Sequence, residues 1–192
     1  MAATSSATHV QSPSEQIPRP SDSRYTEELS QQLQAWSDLI PGSVRPDFDA
    51  GNASEHDAII LLRFHAAGDI IFRPTLISVL RRSALEPCDA ESIDKATRCL
   101  HHCRAYLSIV ELRAQAPHAS LEITLHSALA AILLLTRAAL SSWLCEKREV
   151  EGIELLQEQT IHLLRKWAFT GSSIEAMLNV ALSIREKYNL LK

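Results

Sequence analysis

Three groups of residues in this 192-residue sequence are of types that do chemistry. The first is Cys88, Cys99, His101, His102 and Cys103. On a helix Cys99 and Cys103 lie one turn apart and could share a soft metal ion, whereas His102 points about 100° away. A structural zinc site needs four converging ligands, most often in short paired spacings such as Cys-x-x-Cys. Two converge here, on a stripe of apolar residues, so the reading is buried thiols and no metal. The second group is His65 and Asp69, four residues apart, which could form an oriented base. A catalytic site would also need a nucleophile or cofactor and a third partner. The sequence has no G-x-S-x-G, no phosphate-binding glycine loop, no H-E-x-x-H and no dinucleotide fingerprint. With five glycines in the chain, little backbone can approach a ligand closely. His118, His126 and His162 stand alone. The expectation is a protein that is not an enzyme, with no catalytic, cofactor-binding or metal residues.

The third group is basic: the doublets Arg81-Arg82 and Lys147-Arg148. Neither has the density of a nucleic-acid patch or a nuclear-import cluster. The formal net charge is −4. A few phosphates at most could be neutralised, so no direct DNA binding by this chain is expected.

The elements that must position these residues are helical. Leu and Ala number 27 and 24 against 6 Val, which favours helices over strands. Residues 1–23 hold 11 Ser, Thr or Pro and read as a disordered tail. No secretory core precedes the cysteines, so thiols in a reducing compartment are expected. The domain spans 24–192. Its first helix carries Tyr25, Leu29, Leu33, Trp36 and Ile40 as one apolar stripe. Pro41-Gly42 ends it, and residues 41–54 are irregular.

A second helix starts at Ser54, with Asp57 completing an approximate capping box. The run Ile59-Ile60-Leu61-Leu62, then Phe64, Ile70 and Ile71, is apolar on more than one face and predicts a central, buried helix. Pro74 kinks or divides it. The third helix opens at 87–89 and carries Ile93, Ala96, Leu100, Cys103, Leu107, Val110 and Ala114 in strict three-four alternation. A fourth, 120–145, holds the most apolar segment. Its uninterrupted run of eight residues spans about 12 Å, well short of a bilayer, so a buried helix and no membrane contact are expected. The charged residues 146–151 connect to a fifth helix with Ile153, Leu156, Thr160, Leu164 and Trp167. Gly171 ends that helix, and Ser172 with Glu175 forms a capping box for a sixth. No fixed repeat period is present. The fold class is all-α, an irregular antiparallel array of about six to seven helices.

Several segments resemble one family. ELSQQLQAWSDLIP, residues 28–41, resembles a helix with Leu-x-x-Trp that ends in a Leu-Pro turn. LLRFHAAGDIIFRPTL, residues 61–76, resembles a long apolar helix closing on Arg-Pro followed by Leu. Residues 99–112, 125–144 and 153–188 resemble the helices that come next. The pattern is similar to the C-terminal part of the middle homology region of fungal zinc-cluster transcription factors, over residues 25–188. On this match Trp36, Leu61, His65, Ile71, Arg73, Pro74 and Leu76 occupy motif positions.

The resemblance implies an all-α regulatory domain in a nuclear protein, acting through a protein partner or a full-length family member, with a small effector as a further ligand class. The family's six-cysteine zinc cluster has no counterpart in these 192 residues, so its DNA binding does not carry over. The alternative is a stand-alone cytoplasmic helical adaptor or scaffold. At the Arg-Pro end, Arg73 is expected to bond carbonyls freed by Pro74, or a carboxylate.

Overall fold

The computed structural model describes residues 20–47 and 54–192. Among these residues there are six α-helices and no strand. They are α1 (Pro20–Asp38), α2 (Glu55–Arg81), α3 (Ala90–Arg113), α4 (Leu121–Ala139), α5 (Ile153–Trp167) and α6 (Ser173–Leu191). Residues 1–19 of the expected tail lie outside the described residues, and so do 48–53 of the irregular segment. Residues 20–23, expected to belong to the tail, form the first turn of α1.

The core is built around α3. Its buried positions Ala96, Cys99, Leu100, Cys103, Leu107, Val110 and Ala114 continue the three-four alternation legible in the sequence. Asp89 caps it, accepting from Ser92 N at 2.7 Å. The α2 helix packs along α3 in the opposite sense: residue 65 meets 102, and residue 69 meets 99. On its other side α3 meets α4, where the buried Tyr106 hydroxyl donates to the Thr124 carbonyl at 3.1 Å. The pair α5 and α6 closes the array against α4. The small cavity lined by Ile132, Thr136, Gln157 and Thr160 holds about 10 Å³, room for about one water.

Four features depart from the sequence reading. The first is the orientation of α1. Its stripe does not enter the core: Tyr25, Leu29 and Trp36 are 65%, 46% and 43% exposed, and Leu33 and Ile40 are half-buried. The side turned inward is the small polar one. Ser37 is buried and bonds the Gln34 carbonyl at 2.7 Å, while Ser30 Oγ accepts from Arg98 Nη2 of α3 at 2.7 Å. Small side chains let the helices approach, and the Arg98 bond sets the rotation.

The second is α2, which is buried on one face only. Ala58, Leu61, Leu62, His65, Gly68, Asp69, Phe72, Leu76 and Val79 face inward, whereas Ile59 is 37% and Ile70 65% exposed. Its capping box forms as expected, Asp57 N on Ser54 Oγ at 3.2 Å and Ser54 N on Asp57 Oδ2 at 3.1 Å. Pro74 does not divide it: the helix is continuous from Glu55 to Arg81. Pro74 stands on the exposed face, so the Ile70 carbonyl that loses its donor faces water.

Third, α4 ends at Ala139 rather than near Cys145. Ser141 N bonds the Ala138 carbonyl at 2.9 Å and Ser141 Oγ accepts from Trp143 N at 3.3 Å. Serine competes for backbone groups in this way and favours turns over helix interiors, and the resulting turn buries Leu144 completely. The helix is long and apolar enough by composition to cross a membrane, but over half of that window is buried inside the array. Fourth, the charged connection contains a 3-10 turn, Arg148–Val150. Arg104 Nη1 of α3 donates to the carbonyl of Glu149 inside the turn and to that of Glu151 just after it, at 2.9 and 2.6 Å.

At α6, Ser172 accepts from Glu175 N at 3.0 Å, yet the Glu175 carboxylate takes the Gly171 N–H at 2.7 Å instead of that of Ser172. Gly171 supplies the φ of +82° that this tight approach uses.

Burial separates two apolar positions of α4. Leu135→Ala should cost about 2–5 kcal/mol, because Leu135 is fully enclosed and the truncation leaves a cavity. Ile123→Ala, at 70% exposure, should stay within about 0.5 kcal/mol of wild type. Urea unfolding of the two variants checks this, and equal losses would contradict the packing described.

Candidate functional site

The chemistry-bearing residues converge on the seam between α2 and α3. Helix periodicity sets the inner edge of α2 as His65, Gly68, Asp69 and Phe72, with Arg73 beside it. It sets the facing edge of α3 as Arg98, Cys99, His102 and Cys103. Gly68 makes their approach feasible. A Cβ at that position would lie 2.4 Å from His102 Nε2, so the imidazole rests directly against the α2 backbone.

Two polar clusters fill the seam. In one, His65 Nδ1 and His102 Nδ1 are 3.1 Å apart. One ring must donate and the other accept, so the pair holds complementary tautomers. Phe64 meets both rings edge-on, and His102 stacks on Phe72 at a 6.0 Å centroid distance. Arg98 lies over the Phe72 ring, its guanidinium carbon 4.3 Å from the centroid. Burial pushes the His65 pKa down to about 3, helped by His102 and His101. His102 is pushed down to about 4, again by burial first, then by His101 and Arg98. Both rings are neutral at pH 7.

In the other cluster the Asp69 carboxylate, buried to 6% exposure, is gripped by Arg73. Arg73 Nε donates to Asp69 Oδ1 at 3.1 Å, and Nη2 donates to Oδ2. This hydrogen bonding holds Arg73 above its ordinary pKa. The Cys99 thiol donates to Asp69 Oδ1 at 3.4 Å. That thiol is pushed far up, first by its hydrogen bond with Cys103, then by burial, with the nearby carboxylate adding to both. It is a thiol and not a nucleophilic thiolate.

These contacts answer the sequence reading residue by residue. His65 and Asp69 do not form a dyad: Asp69 bonds forward to Arg73, and His65 faces His102 across the seam. Asp69, Cys99 and Cys103 bring three donor atoms within 4.8 Å of one another. The carboxylate is missing from the sequence-based grouping because it comes from the other helix. Three donors are one short of a structural zinc set, and the carboxylate is already committed to Arg73. Of the two partners foreseen for Arg73, it takes the carboxylate and not the freed carbonyls.

The motif positions divide. Leu61, His65 and Leu76 share the buried face of α2, Arg73 borders it, and Pro74 is exposed. Trp36 is exposed on α1. The histidine pair was not found from the sequence, since its members are 37 positions apart. The one signal is a glycine inside an apolar helix, which marks close approach by a partner. No protein-family model, curated protein or solved structure matches the chain.

Neutral, buried histidines make stability depend on pH. Below about pH 6.5 the unfolded chain protonates both, whereas the folded chain resists until about pH 4 and 3. Stability is therefore full above pH 6.5 and falls as the pH drops, by about 1.4 kcal/mol per unit for each ring. Between pH 7 and 5 the loss should be about 2–4 kcal/mol, and His102→Gln should roughly halve the slope. Urea midpoints at the two pH values measure it, and a flat profile would contradict the seam's electrostatics.

Arg73→Ala strands the Asp69 carboxylate and should cost about 1–3 kcal/mol. Arg73→Lys should recover little of that, because one ammonium cannot reproduce the two-pronged contact. Thermal melts decide, and an unchanged midpoint for Arg73→Ala would defeat the account.

Proposed function

We propose that the chain is a regulatory and interaction module of a fungal-type transcription regulator, located in the nucleus and without a DNA-reading element of its own. It works by helix-face contact with a protein partner, a full-length family member included. The observation that carries this reading is α1. A helix whose sequence has a clean apolar stripe leaves Tyr25, Leu29 and Trp36 on the surface and turns inward Ser30 and Ser37, with Leu33 and Ile40 half-buried beside them. Apolar side chains aligned on one exposed face are the usual mark of a contact surface.

The seam between α2 and α3 supports the same reading from the inside. Its histidines are paired with each other, its Cys99 thiol stays protonated and its carboxylate is occupied, so it acts as a structural lock. Most residues that carry the family resemblance, Leu61, His65, Arg73 and Leu76, belong to that lock or to the apolar face around it. A protein ligand is favoured over a small effector, because the cavity beside Thr136 has room for about one water and the larger groove, along α2, is open to the surface.

Tethering tests the proposal. Fused to an unrelated DNA-binding domain in a fungal reporter strain, the chain should change reporter output about fivefold or more. Leu29→Asp combined with Trp36→Asp, with unchanged helicity by circular dichroism, should abolish the effect. A stable nuclear fusion with no effect would reject the transcriptional reading. Retention of the untethered chain in the cytoplasm would favour the adaptor alternative.

A further inference from the structure

We propose that the outer face of α2 docks an acidic amphipathic segment of a protein partner. At 100° per residue, Ile59, Arg63, Ile70, Pro74, Ile77 and Arg81 fall within about 40° of one line along the helix. This is the side away from the seam. Ile70 is 65% exposed, and Arg63, Pro74 and Arg81 are exposed as well. Ile70, Arg73, Pro74, Ile77 and Arg81 line an open groove of about 370 Å³.

Charge selects the occupant. From residue 58 to residue 85 the sequence contains one carboxylate, Asp69, and that one is buried and held by Arg73. Arg63 and Arg81 have no ion-pair partner among the described residues. A stripe with two unpaired arginines, Arg63 and Arg81, and no free acid, in a chain of net charge −4, calls for a partner with the opposite sign. Its centre is apolar, Ile70, Pro74 and Ile77, which a bare polyanion would leave wet. A peptide with apolar residues at helical spacing and Asp or Glu between them satisfies both features. The groove between Ile70 and Arg81 is about 17 Å long, so three turns of such a helix would fill it. The Ile70 carbonyl, which Pro74 cannot serve as donor, offers an acceptor at the groove's edge to a side chain of the partner.

This inference rests on the reading of the chain as an interaction module but fails separately. The tethered reporter depends on Leu29 and Trp36 of α1, whereas this face depends on Arg63, Ile70 and Arg81. The probe is a fluorescein-labelled 15-residue peptide with Leu and Phe at i, i+3, i+4 and i+7 and Asp or Glu elsewhere, titrated with the full chain by anisotropy. Saturable binding is expected, weakening about tenfold between 50 and 300 mM salt. Arg63→Glu with Arg81→Glu should weaken it at least about tenfold, as should Ile70→Asp, while Arg165→Glu on α5 should not. All four positions are surface-exposed, and circular dichroism confirms that the variants are folded. Equal binding of a scrambled or a lysine-substituted peptide would overturn the proposal. So would no saturation at 1 mM, tighter binding of a 20-base-pair duplex, or a dimer in sedimentation that Ile70→Asp dissolves.

Discussion

A carboxylate cannot be drawn between two packed helices without a counter-charge, and Asp69 is such a carboxylate. Its isolated burial would cost several kcal/mol even after relaxation. The structure meets that demand with Arg73 one turn along the same helix and the Cys99 thiol across the seam. Much of the surrounding arrangement follows. Arg73 must stay near the edge of the seam, which puts Pro74 on the exposed outer side. Cys99 must sit opposite Asp69, which brings His102 one turn on against Gly68 and His65. No side chain larger than hydrogen fits at position 68, because the ring already occupies that space.

The sequence revealed the elements far better than their rotation. Capping residues gave the starts of α2, α3 and α6 nearly to the residue, because Ser54, Asp89 and Ser172 act through their own neighbours. Three-four spacing gave the buried edge of α3, which is covered on two sides. The same logic misplaced α1. Periodicity reports that one face is apolar, but not that a neighbouring face, with Ser30 hydrogen-bonded to Arg98 and Ser37 buried, will be the one that packs. It also overstated α2, whose isoleucines at 59 and 70 looked like core. A run of apolar residues around a helix does not say whether enough neighbours exist to cover every side.

The seam was half legible for a related reason. The residues His65, Asp69, Arg73, Cys99, His102 and Cys103 stood out by type. Their pairing depends on which turn of α2 meets which turn of α3. Within one helix, i to i+4 spacing allows Asp69 to reach either His65 or Arg73. The choice goes to Arg73 because a guanidinium neutralises a buried carboxylate, while a histidine pushed toward pKa 3 by burial cannot. His65 is then left to find its partner on the opposite helix.

This choice also explains why the seam is polar at all. Two helices rich in Leu and Ala can slide by one turn, about 5.4 Å, and still cover most of their apolar area. The polar contacts tolerate no such slide. Displaced by a turn, Cys99 leaves Asp69, His102 leaves His65 and collides with a side chain where Gly68 had given it space. The histidine nitrogens and the carboxylate would then be buried with fewer partners, each at a cost of about 1–3 kcal/mol. Buried polar groups are costly anchors, and their use here is to fix a register. With α2 locked along α3 by its inner edge, the arginines and isoleucines of its outer edge are held at fixed spacing on a rigid rod, as the proposed docking face requires.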